Sequence, residues 1–503
     1  MSRRTFLRLG GIGAAGLMLG AGVSGIEKIV YQPRLSGYPF SLGVASGDPL
    51  PDGVVLWTRL ALDPMNGGMV TDHAVPVTWR VATDEGMKGV VQSGTVLARP
   101  GLAHSVHVEV SGLKPDRWYW YCFEAGKERS PIGRTKTAPV AGSTIDRLAF
   151  ALASCQQWVG GPYPAYRHMA EEDLDFVVHV GDYIYGERGT RTLADYRRLY
   201  ALYKTSPDLQ AAHVAFPFIA TLDDHEVANN WADGSLQDHP DVGEQAFLAR
   251  RAAAFQAYYE HMPLRRFSRP AGLDMRLYRR FAFGDLAALN VLDTRQYRSA
   301  HATGGFIARR HPDSHGPLQE MVGAEQKRWL LKGLADSPAR WNILAQQTMM
   351  TEYDDRLGAE EYINHDQWDG YTIARNRLFD SIRDHRPANP VVLSGDWHAN
   401  WVNDLKADFG APDSETLATE FVGTSISSGL PENVRRRVEA ALPENPHVRF
   451  FDGDFRGYTR CSVSRELWRT DFRTVEERDD PQSPVSTLAS FDVENGRPGA
   501  RRA

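Results

Sequence analysis

The stretch FVVHVGDYIYGER, residues 176–188, decides the fold of this chain. It begins with apolar and β-branched residues, which predict a buried strand, and it continues into a loop that carries Asp182 and Tyr185. An acid and a phenol at the end of a buried strand need partners, because their polar groups are costly to bury alone. Loops at strand ends commonly carry function, so the stretch indicates a metal site.

Three further apolar runs end in similar groups of metal-binding side chains. They are LAFALASC (148–155), FIATLDDHE (218–226) and VVLSGDWH (391–398). These runs place at the ends of predicted strands Cys155, Asp224, His225, Asp396 and His398. Because open α/β sheets bind their ligands at the carboxyl ends of the strands, we interpret the four loops as one centre for more than one metal ion.

The donor types indicate unlike metals. A Cys155 thiolate and a Tyr185 phenolate are anionic, polarisable donors that suit ferric iron. Asp182 has two carboxylate oxygens and could bridge the ferric ion to a neighbouring metal ion. Calcium prefers oxygen donors. Such donors are available from Asp224, Asn230 and Asp396, and His398 adds a nitrogen.

Metal ions of this kind polarise phosphoryl oxygens and lower the pKa of a bound water, so a metal-bound hydroxide could attack phosphorus directly. His225 could orient the phosphate or protonate the leaving oxygen. Arg188 could hold phosphate oxygens through its planar guanidinium group. The pattern therefore predicts hydrolysis of a phosphate ester without a protein nucleophile, and with inversion at phosphorus.

Composition limits the other functions. The chain has 503 residues, a formal net charge of −6 and three cysteines. The mild acidity and the scattered basic residues argue against nucleic-acid binding as the main role, so we expect a small-molecule partner. Three cysteines do not make a disulfide framework, and Cys122 and Cys461 lie in strand-like runs where a thiol packs as a hydrophobe.

The amino terminus predicts export. The segment SRRTFL (2–7) precedes a Gly-, Ala- and Leu-rich run, and this pattern is typical of a twin-arginine signal over residues 1–30. An ordinary Sec signal or a retained anchor is the alternative. Since the run is short and glycine-rich, we expect no stable membrane span. The expected location is secreted, periplasmic or cell-wall associated, with the Tat export machinery as a partner.

Two patterns divide the remainder of the chain. Residues 38–140 alternate polar and apolar positions between Gly, Pro and Asp clusters, and they predict a small fibronectin- or Ig-like β-sandwich. Residues 146–490 alternate strands with helical patterns, and they predict a layered α/β catalytic domain. The Gly-, Arg- and Pro-rich residues 491–503 are expected to form a loose tail.

Taken together, the motifs of this chain resemble those of the PhoD family of alkaline phosphatases. In chain order they are SGDP (46–49), LWTRL (56–60), ASCQQW (153–158), HVGDYIYGER (179–188), DDHEVANNW (223–231), LDTRQYR (292–298) and SGDWHANW (394–401). The resemblance covers nearly the whole chain. It implies a metallophosphatase-like four-layer α/β/β/α catalytic domain, Fe³⁺ and Ca²⁺ as cofactors, and hydrolysis of phosphomonoesters or phosphodiesters.

The resemblance also implies a set of iron ligands. Carried over by motif, they would be Cys155, Asp182, Tyr185 and His398, with Asp182 shared between metals. Calcium would bind Asp396 and one asparagine of the pair Asn229 and Asn230, of which Asn230 is preferred. Arg188 matches the position that contacts the substrate.

Some positions of the matching motifs keep more than one interpretation. The motif DDHE leaves open whether Asp223 or Asp224 faces the metals. Asp293 and Arg295 of LDTRQYR are interpreted as structural or supporting groups without a chemical role of their own.

Two rival functions remain at this level. Within catalysis, a phospholipase D-like or teichoic-acid phosphodiesterase would use the same cluster, and the ratio of monoester to diester hydrolysis separates the two activities. Outside catalysis, a non-catalytic cell-wall binding module would keep the scaffold but would need no tightly held iron.

Overall fold

The computed structural model describes residues 35–69, 71–186, 189–232, 243–302, 306–316, 318–411 and 413–503. The predicted export signal, residues 1–30, and the predicted phosphate contact Arg188 lie outside these ranges. In the described part of the chain, no helix is long and apolar enough to cross a lipid bilayer.

Strands come first along the chain, and strands and helices alternate after them. The amino-terminal strands are β1 (Val44–Leu50), β2 (Gly53–Arg59), β3 (Val75–Ala82), β4 (Val90–Ala98), β5 (Ser105–Ser111), β6 (Trp118–Ala125), β7 (Glu128–Arg129) and β8 (Gly133–Lys136). The later strands are β9 (Arg147–Ala153), β10 (Phe176–His179), β11 (Pro217–Ala220), β12 (Arg279–Phe283), β13 (Ala287–Val291), β14 (Ile307–Arg309), β15 (Trp341–Ala345), β16 (Tyr362–Asn364), β17 (Pro390–Ser394), β18 (Asn400–Lys406), β19 (Thr416–Val422), β20 (Val448–Asp452), β21 (Arg456–Ser464), β22 (Leu467–Val475), β23 (Val485–Glu494) and β24 (Arg497–Arg502). The helices are α1 (Pro164–Met169), α2 (Leu193–Lys204), α3 (Pro207–Ala215), α4 (Glu244–His261), α5 (Gly323–Ala335), α6 (Thr372–His385) and α7 (Glu432–Ala441).

The larger sheet has ten strands in the order β24-β23-β22-β21-β9-β10-β11-β1-β2-β5. Its centre is parallel, because β10 pairs in parallel with β9 and β11, and β1 pairs in parallel with β11. Strands β10 and β11 are buried along their whole length. Such continuous apolar runs are typical of parallel strands, which are covered on both faces.

The second sheet has seven strands in the order β12-β13-β15-β17-β19-β18-β20. Strands β13, β15, β17 and β19 are parallel neighbours within it. The two sheets share one hydrophobic core, in which Val178 of β10 packs with Ile343 of β15 and Leu393 of β17. Their inner faces are thus buried against each other.

Helices cover the outer faces of both sheets. On the ten-stranded sheet, Val177 of β10 shares a core with Tyr200 of α2 and Phe255 of α4. On the seven-stranded sheet, Val392 of β17 shares a core with Leu334 of α5 and Phe379 of α6. The mixed α/β class predicted from the alternation of strands and helices is therefore confirmed.

The amino-terminal region is joined to this core through a shared sheet. Strands β1, β2 and β5 belong to the ten-stranded sheet, whereas β3, β4, β6, β7 and β8 form a separate five-stranded sheet. The two layers share a core that contains Leu56 of β2, Val77 of β3 and Tyr121 of β6. A division of the chain near residue 140 stays a prediction, since the sheet itself continues across that point.

The prediction of a loose carboxyl-terminal tail is wrong. Strand β24 pairs with β23 in an antiparallel hairpin, and the pairing begins at Glu494 and Arg497 around the turn at Asn495 and Gly496. Phe491 is buried in the core between the sheets. An Asn-Gly turn is a strong hairpin signal, and the Gly-rich composition obscured it.

Candidate metal centre

The predicted ligand loops meet at one edge of the molecule, where strands of both sheets end. Cys155 follows β9, Asp182 follows β10 and Asp224 follows β11, all in the ten-stranded sheet. Asp396 and His398 follow β17 of the seven-stranded sheet. Because these strands are parallel within each sheet and the sheets pack face to face, their carboxyl ends converge.

Among the described residues, three groups of side chains bring potential metal-ligand atoms within 4.8 Å of one another. They are Cys155, Asp182 and His398; Asp182, Asp224 and His225; and Asp182, Asp223, Asp224 and Asp396. Asp182 is common to all three groups. A carboxylate with two oxygens is the donor best suited to join adjacent cations, so its central place favours a centre of more than one ion.

Tyr185 lies beside the first of these groups. Its phenol oxygen lies 3.2 Å from Oδ2 of Asp182 and 3.0 Å from Nε2 of His398. The Ser428 hydroxyl lies 2.5 Å from the same phenol oxygen and 2.7 Å from the carbonyl oxygen of Cys155. The loop of Ser428 therefore links the loops of Cys155 and Tyr185.

The backbone at the predicted ligands is unusual. A left-handed φ between 52° and 66° occurs at Cys155, Asp182, Asn230, Asp396 and His398. Non-glycine residues adopt this region at a cost of about 1 to 3 kcal/mol each, and such residues cluster at functional sites. Five predicted ligands therefore share a backbone conformation that regular strands and helices do not use.

Gly181, directly before Asp182, is required by close packing. A Cβ atom there would lie 2.3 Å from Cβ and 2.4 Å from the backbone nitrogen of Asp223, and Gly181 itself has a φ of 112°. Any larger residue would force apart the loops of Asp182 and Asp223.

The two aspartates of DDHE have different partners. Asp223 forms an ion pair with Arg295, whose guanidinium is fully buried. Asp224 accepts a bond of 2.6 Å from the backbone N–H of Asn230 through Oδ2, and its Oδ1 has no hydrogen-bond donor among the described residues. An unpartnered carboxylate oxygen in a buried cluster is the donor that a cation would satisfy.

The electrostatics of the cluster also fit a cation. Burial raises the pKa of Asp182 well above its ordinary range, and the carboxylates of Asp224 and Glu226 raise it further. Burial and the Asp182 carboxylate likewise raise the pKa of the Cys155 thiol. Positive charge at this point would favour both anionic forms, so the donor set is complementary to a highly charged metal ion.

His398 is oriented for ligation. Its Nδ1 lies 3.1 Å from the carbonyl oxygen of Gly429, which favours the proton on Nδ1 and leaves the lone pair on Nε2. Burial lowers the pKa of His398 to about 4, so the ring is neutral. Neutral imidazole is the form that binds metal ions.

His225 is buried and belongs to the second of the three groups. Its ring lies against Tyr185 in a tilted arrangement with centroids 4.1 Å apart, and its backbone N–H donates to Oδ1 of Asp182 over 3.3 Å. Gly186 comes two residues before the predicted phosphate contact Arg188 in the sequence. Its N–H donates to the carbonyl oxygen of His225, and its own carbonyl oxygen accepts a hydrogen bond from Arg250.

Sequence reasoning missed several residues that support the cluster. They are Glu226, Asp366, Arg456 and Ser428; Arg295, interpreted above as a structural or supporting group, joins them. Arg295 pairs with Asp366 as well as with Asp223, and Arg456 donates to the carbonyl of His398. The signal was available for Glu226 and Arg295, because both lie in quoted motifs directly after apolar strands. The sequence signal for Ser428 was weak, because small polar residues after a strand are common in ordinary loops.

Comparison with known proteins gives the class of the protein, which is a phosphatase. A family model described as PhoD-like phosphatase matches residues 150–472, and a model of the family's N-terminal domain matches residues 26–139. The chain belongs to the PhoD-like phosphatase family, as its motifs predicted.

Two known proteins show how far the similarity extends. The chain is 46% identical to alkaline phosphatase D of Bacillus subtilis (strain 168) over 521 aligned residues, which cover 99% of this chain and 89% of the relative. A solved structure titled "Structure of PhoD" superimposes with a TM-score of 0.89 at 45% identity, covering 94% of this chain and 93% of the other. The match includes the amino-terminal β region as well as the two large sheets.

Proposed function

We propose that this protein is an exported, metal-dependent phosphatase that hydrolyses small phosphate esters at the cluster around Asp182. The observation that carries the proposal is the common carboxylate. Asp182 lies within 4.8 Å of a sulfur and nitrogen donor pair on one side and of an oxygen-rich group on the other. Family membership supports phosphatase activity.

The donor sets on the two sides of Asp182 fit different cations. Cys155, Tyr185 and His398 would hold Fe³⁺ together with Asp182, because thiolate, phenolate and imidazole suit a transition metal. Asp224 and Asp396 would hold Ca²⁺, which prefers oxygen donors. Asn230, whose backbone N–H bonds Asp224, would be the third calcium ligand.

The cations, when bound, would neutralise charge on the phosphoryl oxygens and acidify a water that could attack phosphorus. Around them the chain supplies binding and proton transfer. His225 lies beside Tyr185, and its imidazole could donate a proton to the leaving oxygen. Arg188, three residues after Tyr185 in the sequence, would bind phosphate oxygens. Burial of Cys155 and Asp182 keeps bulk water away from their donor atoms.

The proposal includes the finer architecture and the location. The catalytic region, residues 146–490, would be a metallophosphatase-like four-layer α/β/β/α domain, and residues 38–140 would be a fibronectin- or Ig-like sandwich. Cores on both faces of the two sheets support the first assignment. The twin-arginine pattern supports export by the Tat machinery and a secreted, periplasmic or cell-wall location.

The test combines metal analysis with activity on four substrates. The purified protein should contain iron and calcium, show a visible charge-transfer band, and hydrolyse p-nitrophenyl phosphate. Parallel assays with bis-p-nitrophenyl phosphate, phosphatidylcholine and teichoic acid would rank the monoesterase against the phosphodiesterase alternatives. A protein that binds cell-wall polymer but hydrolyses none of these substrates would instead be a binding module.

The variant Cys155→Ala isolates the predicted iron ligand. It should lose the visible band and most of the turnover. The matched control is Cys461→Ala, because Cys461 is a buried thiol of β21 that packs in the core between the sheets. The control should lose stability but keep iron and colour. An iron-free, colourless and fully active wild-type enzyme would overturn the metal assignment.

A further inference from the structure

Glu226 connects two of the loops that carry the predicted metal ligands. Its side chain is buried, and its Oε1 accepts a hydrogen bond of 2.6 Å from the backbone N–H of Tyr183. Its Oε2 accepts from the backbone N–H groups of Asp182, over 3.1 Å, and of Asp223, over 2.8 Å. One carboxylate thus receives three backbone donors from two different loops.

These donors lie where the backbone leaves regular structure. Strands β10 and β11 end at His179 and Ala220, so the N–H groups of Asp182 and Asp223 come after the sheet ladder has stopped. Asp182 has a left-handed φ of 55°. A buried N–H group without an acceptor would cost about 1 to 3 kcal/mol, and a charged acceptor gives a stronger bond than a neutral one.

We propose that Glu226 is a positioning residue that sets the separation of the Asp182 and Asp223–Asp224 loops, and thereby the metal affinity of the cluster. The inference rests on the proposed function and specifies how its site is assembled. Glu226 does not itself face the metals in this arrangement, since both of its oxygens are turned to backbone donors. It acts through the two loops.

A glutamine at this position would not serve the same purpose. It keeps the shape of the side chain, but only one of its two terminal atoms accepts hydrogen bonds. The amide nitrogen would face either the N–H of Tyr183 or the N–H groups of Asp182 and Asp223. At least one backbone donor would then meet another donor, and the loops would separate.

The chain provides a matched control at the other end of β10 from the ligand loops. Asp175 precedes β10, accepts a bond of 2.8 Å from the backbone N–H of Ala149 in β9, and binds the Lys136 ammonium group over 2.7 Å. Asp175→Asn therefore weakens a carboxylate-to-backbone bond in the same sheet, far from the ligand loops. It reports the effect of lost stability alone.

The experiment compares Glu226→Gln, Glu226→Asp and Asp175→Asn with the wild type. For Glu226→Gln we expect iron affinity, measured by titration of metal-stripped protein with Fe³⁺, to fall roughly 10- to 100-fold. We expect kcat for p-nitrophenyl phosphate to fall with little change in KM. Hydrogen exchange followed by mass spectrometry should become faster in peptides that contain residues 181–186 and 222–226.

Glu226→Asp keeps the charge but is one methylene shorter, so it should bond one loop and give an intermediate iron affinity. It also serves as the folded variant if the glutamine protein does not accumulate. Asp175→Asn should lower the melting temperature without changing iron affinity or exchange in the two peptides.

The outcomes separate this inference from the proposed function. If the glutamine variant loses stability like Asp175→Asn but keeps wild-type iron affinity and slow exchange in both loops, the positioning role is refuted. If the wild type itself binds no iron and hydrolyses no ester, the proposed function fails. In that case unchanged exchange in the variant would reject the connection made by Glu226, and faster exchange would retain it.

Discussion

The phenol oxygen of Tyr185 lies 3.0 Å from Nε2 of His398, although 213 positions separate the two residues in the chain. Tyr185 follows a strand of the ten-stranded sheet and His398 follows a strand of the seven-stranded sheet. The candidate iron site is therefore built across the two sheets. A change that alters how the sheets pack should alter the site even when every ligand is present.

Tyr185→Phe tests the phenolate. We expect the visible band to disappear and iron affinity to fall roughly 10- to 100-fold, because the remaining donors include no phenol oxygen and the ferric ion loses an anionic ligand. Absorption spectroscopy and metal titration measure both effects. Tyr183→Phe is the control, since the Tyr183 hydroxyl bonds His213 and Lys204 instead of the cluster; its band should be unchanged.

Asp224→Asn and Asp223→Asn should differ. Asp224 offers a carboxylate oxygen without a donor, so its loss should lower calcium content and reduce kcat/KM by roughly 10- to 100-fold. Asp223 is paired with Arg295, so its replacement should mainly destabilise the fold by leaving a buried guanidinium short of one partner. Elemental analysis and thermal unfolding of both variants decide the assignment, and it would be reversed if only Asp223→Asn loses calcium.

Metal removal should destabilise the protein in a pH-dependent way. Without a cation, burial raises the pKa of Asp396 to about 6, although the Arg295 guanidinium opposes this shift. A raised carboxylate pKa means that the folded protein binds more protons than the unfolded chain, so the stripped protein loses stability as pH rises through this value. The shift corresponds to about 3 kcal/mol for one group.

The difference in melting temperature between metal-loaded and chelator-treated protein should therefore widen from about pH 4 to about pH 7. Differential scanning calorimetry on the two forms measures it. A constant difference across this range would mean that the carboxylates do not carry the effect.

Because of Lys204, the free energy of unfolding of the wild type should rise with pH. Burial lowers the pKa of Lys204 to about 7, and its ammonium group lies 4.4 Å from the Trp57 ring centroid and 3.0 Å from the Tyr183 hydroxyl. The unfolded chain then binds more protons than the folded one between about pH 7 and the ordinary lysine pKa of about 10.4. Stability should rise by at most about 1.4 kcal/mol per pH unit in that window.

Denaturant unfolding at several pH values in this window measures the free energy of unfolding. For Lys204→Met this free energy should rise less steeply with pH than for the wild type. The variant's advantage in stability over the wild type should be largest near neutral pH. Lys332→Met is the control, because Lys332 is mostly exposed beside Asp336. Equal slopes for Lys204→Met and the wild type would show that Lys204 is not titrating there.

The ligand loops were predictable because their signals are local. A buried apolar run followed by an acid, thiol or imidazole is visible in a few consecutive residues, and each of Cys155, Asp182 and His398 follows such a run. The mixed α/β class followed from the alternation of strand and helix patterns for the same reason. The hairpin of β23 and β24 was missed because composition was weighted above its Asn-Gly turn.

The supporting residues were not predictable in the same way. Glu226 meets the N–H of Asp182 across 44 positions, and Arg295 meets Asp223 across 72. The pairing of buried charged side chains depends on how loops that are distant in the chain pack together. The choice of Asp224 over Asp223 as the metal-facing acid likewise depends on where Arg295 lies.

By itself, the sequence determined which residue types stand at the ends of the buried strands, since backbone propensity and apolar periodicity act over short spans. Only the tertiary structure decided that strands of two different sheets end at one place, and that Asp182 is shared by the groups of donors. The physical reason is that burial of both sheets in a common core sets the distance between their edges, and that distance is a property of the packed chain as a whole.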